Sequence, residues 1–202
     1  MKGLAATFLL VPLLLAGCVV PYGGTQTPAT TTTASADGLA RLDRAGIAQI
    51  QASKSARLDM TSGQLTKESV GLGNGTSQAP EVEIKNGVMA LSIEGPTGTV
   101  RASTDRLRLN GMNNGAGFSE ITYFLTASSL DDYSALVREG VDRYGLPRES
   151  AERWIESTSN QPRGKSDFAL GPGTSTGLNV TYDLRYDGAK ENQVIIVHVN
   201  PS

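Results

Sequence analysis

The sequence contains only one cysteine and one histidine in 202 residues. A single cysteine excludes an intramolecular disulfide and a cysteine-built metal site, and a single histidine excludes a zinc site with several histidine ligands. The formal net charge is −2, so no field of the whole molecule attracts nucleic acid or an anionic membrane. Composition therefore predicts no metal, no cofactor and no nucleic-acid partner.

The apolar stretch near the start of the chain is too short to span a membrane. It covers residues 4–15, about a dozen positions, whereas a spanning helix needs roughly 20. Lys2 and the free amine precede it, and the small residues Ala16 and Gly17 follow it directly before Cys18. This order of charge, apolar stretch and small residues is typical of a secretory signal peptide.

The segment Leu15-Ala16-Gly17-Cys18 resembles the lipobox of bacterial lipoproteins. The resemblance covers the first 18 residues. It implies that residues 1–17 are a lipoprotein signal peptide, that a diacylglyceryl group is attached to the Cys18 sulfur, and that the new amino terminus is also open to acylation. The alternative is an ordinary signal peptide with an incidental cysteine.

The resemblance also implies a location. One acyl chain holds a protein at a membrane only marginally, whereas two or more hold it stably, at about 0.8 kcal/mol per buried CH₂ group. Val19, rather than aspartate, follows the cysteine. Within the family this implies the outer membrane, facing the periplasm, in a Gram-negative cell. In a Gram-positive cell the destination is the outer face of the plasma membrane.

Residues 18–36 contain the lipidated cysteine and a predicted tether. Positions 19–36 are rich in Thr, Ala, Pro and Gly and carry no charge, so this segment has too little apolar surface to fold. As a flexible coil its eighteen residues reach about 25 Å. Residues 37–202 are predicted to form a single domain beyond it.

The first elements of that domain are predicted to be a helix, a loop and a hairpin. Apolar spacing predicts a helix over residues 37–58, capped by Ser35 or Asp37, and a polar, glycine-rich loop over residues 61–79. Asn86 and Gly87 then form the strongest two-residue turn signal in the chain. Folding about that turn pairs Ile84 with Met89 and Val82 with Leu91, and puts all four side chains on one face.

The remaining pattern completes an α+β fold. Ser129 and Asp132 resemble a capping box at the start of a helix that Gly145 ends. Together with the elements above, we expect a mainly antiparallel sheet of about five to seven strands, an N-terminal helix and a central helix pair. The further segments are a second helix over residues 147–157 and strands over residues 97–110, 120–127, 168–170, 178–186 and 194–199, the last of them interior.

Three arginines are the candidate binding residues. Arg106 and Arg108 lie two positions apart on a predicted strand, so their side chains share a face about 7 Å apart. With Arg101, they could hold a phosphate, a carboxylate or an acidic glycan. The alternative is a solvated strand face on which the arginines pair with Glu81, Glu83 or Glu120.

No catalytic set is predicted. His198 is the only possible histidine base, and the chain has no nucleophile-elbow pattern to accompany it. The leading hypothesis is a lipid-anchored, non-enzymatic envelope protein that binds a protein or cell-wall partner. A carrier of a small apolar ligand is the second hypothesis. A hydrolase is the third, and it needs two carboxyl groups that converge in a cleft.

The first prediction concerns the anchor. Cys18→Ser removes the sulfur that would carry the lipid, so we expect an unlipidated product from this variant. Mass spectrometry of the wild-type amino terminus is the direct measurement. A wild-type terminus that is not an acylated Cys18 would show that the lipoprotein prediction is wrong.

Overall fold

The computed structural model of the chain describes residues 38–73, 76, 79–111 and 115–202. The predictions for Cys18, the signal peptide and the tether lie outside the described residues. The described part forms three helices and nine strands. The helices are α1 (Arg44–Ser53), α2 (Leu130–Tyr144) and α3 (Arg148–Asn160), and the strands are β1 (Ser55–Asp59), β2 (Glu81–Glu83), β3 (Met89–Glu94), β4 (Thr99–Thr104), β5 (Arg106–Asn110), β6 (Glu120–Ala127), β7 (Lys165–Gly173), β8 (Asn179–Asp187) and β9 (Gln193–Asn200).

The strands form two sheets. The small sheet has the order β1-β3-β4 and the large sheet the order β2-β5-β6-β9-β8-β7. All neighbours are antiparallel except β1 and β3. The predicted α+β class with mainly antiparallel pairing is confirmed. The large sheet has six strands, within the expected five to seven, and the other three described strands form a second sheet that was not expected.

The central helix pair is confirmed, and α2 begins and ends where predicted. Ser129 Oγ accepts a 3.0 Å hydrogen bond from the Asp132 amide and donates to its carboxylate over 2.7 Å. Gly145 ends α2 in the left-handed region with φ 75°, which glycine adopts without steric cost. The second helix, α3, covers the predicted residues 147–157 except Pro147 and continues to Asn160. Within the described residues, none of the helices is long and apolar enough to cross a membrane.

The predicted N-terminal helix is shorter than expected at both ends. Asp43 caps it, because its carboxylate accepts a 2.8 Å hydrogen bond from the Gly46 amide. Lys54 ends it in the left-handed region with φ 52°. Residues 55–59 form β1 beside β3, although residues 55–58 were expected to be helical. Their alternating exposed and buried positions are typical of a half-buried strand.

The predicted hairpin about Asn86 and Gly87 is wrong. The strand before the turn, β2, pairs with β5, and the strand after it, β3, pairs with β1 and β4. The chain still bends at Gly87, with φ 89°, and Lys54 Nζ holds the bend by donating to the Asn86 carbonyl over 2.8 Å. The two strands therefore enter different sheets, although all four of their predicted apolar residues are buried.

The single strand predicted over residues 97–110 is broken into β4 and β5. Thr104 is buried at the break. Its hydroxyl donates to the Arg106 carbonyl over 2.9 Å and accepts from the amides of Arg106 and Phe124, each over 3.2 Å. These bonds hold the chain as it leaves the small sheet and enters the large one.

The large sheet carries the two helices on one face. Its interior strand β9 lies between β6 and β8, as predicted for residues 194–199, and β7 is longer than the predicted residues 168–170. Tyr133 of α2 packs against Trp154 of α3 with ring centroids 5.4 Å apart. Tyr186 of β8 contacts both rings. Aromatic contacts of this kind add about 0.5–1.5 kcal/mol per pair beyond burial.

Gly140 brings α2 close to the large sheet. A methyl group at this position would lie 2.6 Å from Tyr182 Cε2 and 2.8 Å from Leu146 Cδ1. Both neighbours are buried, so neither can move aside without displacing other core atoms. The helix therefore needs glycine at this point of contact.

We expect Gly140→Ala to lower the free energy of unfolding by about 1–2 kcal/mol. Alanine favours a helix by about 1 kcal/mol, but the overlap with two buried side chains, Tyr182 and Leu146, costs about 2–3 kcal/mol, the upper part of the usual range for overpacking. Urea denaturation followed by circular dichroism measures the change. Gly73→Ala is the control, because nothing lies within 4 Å of the new methyl group. Equal stability of Gly140→Ala and wild type would contradict this packing argument.

Candidate functional site

A groove of about 580 Å³ lies between the small sheet and α2. The three strands of the small sheet line one side, and α2 lines the other. Tyr123 and Leu125 of β6 and Tyr182 of β8 complete the lining. The volume is within the range of about 300–1,000 Å³ that small-molecule sites occupy.

The small sheet presents two cross-strand rows to the groove. Ser55, Ala90 and Ser103 form one row, whose small side chains leave space above the sheet. The next row on the same face of the sheet has Ser92 of β3 between Arg57 of β1 and Arg101 of β4. Since neighbouring strands are about 4.8 Å apart, the two arginines begin about 10 Å from each other.

Three tyrosines meet where the groove reaches the large sheet. Tyr144 of α2 and Tyr182 have ring centroids 6.3 Å apart. The Tyr123 hydroxyl is fully buried and forms no well-aligned hydrogen bond in the described part of the chain. Burial raises the pKa of Tyr123 well above its usual value, and Tyr182 and Tyr144 raise it further. The hydroxyl is therefore neutral, and it can donate or accept a hydrogen bond.

Tyr144 also fixes the exposed edge of the small sheet. Its hydroxyl donates to the Arg101 carbonyl over 2.8 Å and accepts from the Arg101 amide over 3.3 Å. Since β4 is the last strand of its sheet, these backbone groups have no neighbouring strand to bind. One tyrosine hydroxyl takes the place of that strand and joins the two sides of the groove.

Charged groups lie around the groove. Arg57 Nε is 2.7 Å from Glu94 Oε1, and an Arg143 guanidinium nitrogen is 2.8 Å from Glu139 Oε1. Within the described residues, no carboxylate oxygen lies within 4.0 Å of the Arg101 guanidinium. Arg101 is exposed and is therefore the cation of the groove that lacks a direct acidic partner in this part of the chain.

The structure separates the three arginines that the sequence grouped as candidate binding residues. Arg101 lies on β4 of the small sheet and lines the groove. Arg106 and Arg108 lie on β5 of the large sheet and do share a face, as predicted. Both guanidinium groups are 5.5 Å from the centroid of the Phe124 ring, a distance typical of a cation–π contact.

Glutamates of the neighbouring strand β2 form ion pairs with Arg106 and Arg108. Arg108 Nε is 3.0 Å from Glu81 Oε1. Arg106 lies 3.7 Å from the same oxygen and 3.6 Å from Glu83 Oε1. This is the paired arrangement that the sequence offered as the alternative to an anion site. Two arginines and two glutamates leave the face neutral, and anion binding by Arg106 and Arg108 stays a prediction.

His198 lies on the opposite face of the large sheet from the helices. Its Nδ1 is 3.1 Å from Glu120 Oε2. Burial alone would raise the pKa of Glu120, but hydrogen bonds from Thr122 and Asn110, together with His198, keep it below its usual value. The pair lies outside the groove, where Glu139 is the only carboxylate among the described lining residues. The groove thus lacks the second carboxylate that the hydrolase hypothesis requires.

Sequence reasoning did not single out most of the groove. Arg101 is the one candidate residue that it named there. Tyr123, Tyr144 and Tyr182 come from three different elements, and no role in binding was predicted for any of them. No local motif links them, because they come together only when α2 packs on the large sheet.

Comparison with known proteins finds no described protein family, no curated protein and no solved structure that matches this chain. Across residues 38–73, 76, 79–111 and 115–202, no three His, Cys, Asp or Glu side chains are grouped so that they could hold a metal ion.

We expect Tyr144→Phe to lower the free energy of unfolding by about 1–3 kcal/mol. The variant keeps the ring but removes both hydrogen bonds to Arg101, and each is worth about 0.5–1.5 kcal/mol. Chemical denaturation measures the loss. Hydrogen exchange of the Arg101 amide should also become faster, since that amide loses its acceptor.

Tyr182→Phe is the matched control. Its hydroxyl forms no hydrogen bond to any residue that the structure describes, and its ring lies 6.3 Å from that of Tyr144. We expect a change of less than about 0.5 kcal/mol. Equal losses in the two variants would show that the hydroxyl of Tyr144 does not hold the edge of β4.

Proposed function

We propose that this chain is a lipid-anchored protein of the bacterial cell envelope whose folded part is a non-enzymatic binding module, and that the groove is its binding site. The observation that carries the proposal is the groove itself, a concave space of about 580 Å³. Leu125, Leu136 and Tyr182 give it apolar walls, and a few polar groups converge on them. Sites for small molecules have this composition.

The groove favours a small ligand over a protein partner. A stable protein interface covers about 800 Å² on each partner, and its energetic centre is a cluster of aromatic anchors. Here the aromatic side chains line a recess: Tyr123 and Tyr182 are buried at its base. A ligand that enters the recess reaches these side chains, whereas a flat partner surface does not. The carrier hypothesis therefore gains support relative to a protein or cell-wall partner.

The lipobox and the tether support the location. Cys18 would hold the chain at a membrane surface, and residues 19–36 would let the domain move about 25 Å from it. A site at that distance from a bilayer can exchange apolar molecules with the lipid surface. An anchored carrier needs both features, since the anchor limits diffusion and the tether keeps the groove accessible.

The test uses the full, lipidated chain in membranes and a photoreactive probe, decanol carrying a diazirine. Mass spectrometry of the peptides locates the covalent label. We expect label on groove peptides of the wild type and about tenfold less on those of Ala90→Phe. Ala90 is exposed and lines the groove, so a phenyl group there would occupy the space of the ligand.

Ala169→Phe is the matched control, because Ala169 is also an exposed strand alanine but lies on β7, away from the groove. We expect it to label like the wild type. Absence of label on the wild-type groove, or equal labelling of Ala90→Phe and wild type, would overturn the proposed function.

A further inference from the structure

We infer that the groove takes an amphiphile with one anionic headgroup, and that the headgroup lies at Arg101. The inference rests on the proposed function and names the chemical class of its ligand. Three observations carry it: the charge balance of the groove, the unpartnered hydroxyl of Tyr123 and the position of the apolar lining.

The arrangement of charges around the groove leaves the Arg101 guanidinium without a direct acidic partner among the described residues. Among the described residues that line the groove, Arg57, Arg101 and Arg143 face one glutamate, Glu139. Two further carboxylates, Glu94 and Asp59, lie beside Arg57. Each glutamate makes a close ion pair with an arginine other than Arg101. Glu94 interacts with Arg101 only at longer range, and it is mainly a partner of Arg57. A headgroup with a single negative charge would therefore meet Arg101 without displacing either ion pair.

The Tyr123 hydroxyl supplies a second polar contact at the same end. It is buried and has no well-aligned hydrogen-bond partner in the described chain. A buried hydroxyl left in this state costs about 1–3 kcal/mol. Tyr144, whose hydroxyl interacts with it, binds both backbone groups of Arg101. The Tyr123 hydroxyl and the Arg101 backbone thus both lie beside the Tyr144 hydroxyl, at the end of the groove that Arg101 borders.

The apolar lining accounts for the rest of the ligand. Leu125 and Leu136 line the groove together with the small side chain of Ala90. An alkyl chain buried against them gains about 0.8 kcal/mol per CH₂ group. A purely polar anion forgoes this gain, and a purely apolar molecule leaves Arg101 and Tyr123 without partners. An acidic amphiphile satisfies both parts of the groove.

The experiment compares three diazirine probes of equal chain length on the lipidated chain in membranes: decanoate, decanol and decylammonium. We expect decanoate to half-saturate the groove peptides at a concentration about tenfold or more below that of decanol, because a hydrogen bond to a charged group contributes about 1.5–3 kcal/mol. Decylammonium should be the weakest of the three. Unlabelled decyl phosphate and unlabelled decanoate then serve as competitors. The one that displaces the label at the lower concentration carries the preferred headgroup, phosphate or carboxylate.

Arg101→Gln should remove the preference for decanoate over decanol, while Arg101→Lys should retain part of it. Arg108→Gln is the matched control, since Arg108 is also an exposed strand arginine but lies on β5. Equal half-saturation of decanoate and decanol in the wild type would overturn this inference and leave the proposed function standing. A preference that survives Arg101→Gln would overturn it as well. Absence of label from every probe would overturn both.

Discussion

The architecture depends on one buried hydroxyl at the point where the chain leaves one sheet and enters the other. Thr104 Oγ1 donates one hydrogen bond and accepts two, which is the full capacity of a hydroxyl group. Two strands that are consecutive in the sequence therefore belong to different sheets. The edge of β4 comes to lie beside β6 and α2, and the groove is the space that this offset leaves between them.

The helix α2 has two tasks that impose opposite demands. Gly140 brings it against Tyr182, so that the helix covers the large sheet closely. One turn later, Tyr144 extends to the other sheet and binds the backbone of Arg101. A small residue at the first position and a large one with a hydroxyl at the second let a single helix pack on one sheet and hold the edge of the other.

The sequence predicted those elements whose ends are determined by local chemistry. Ser129 and Gly145 act on amides within a few residues, so α2 was correct at both ends. The hairpin at Asn86 and Gly87 failed because its apolar side chains are buried in either arrangement, and local burial does not distinguish the two. The strand β1 was not predicted, because the helix before it ends at Lys54 in a left-handed conformation. No glycine or proline at that point of the sequence indicates that the helix ends there. The groove was beyond prediction for a further reason: strand order is a property of the whole chain.

The two sets of arginines show why charge balance, rather than the number of cations, locates a candidate site. Arg106 and Arg108 lie two positions apart and are conspicuous in the sequence. Glu81 and Glu83 lie opposite them on β2, however, and neutralise the charge of that face. Arg101 stands alone in the sequence, but it borders a recess in which the nearest glutamates are already paired with other arginines. A cation that has no direct acidic partner and lies beside apolar walls interacts with an anion more strongly than a compensated pair does. The less conspicuous arginine is therefore the one that the fold leaves available to a ligand.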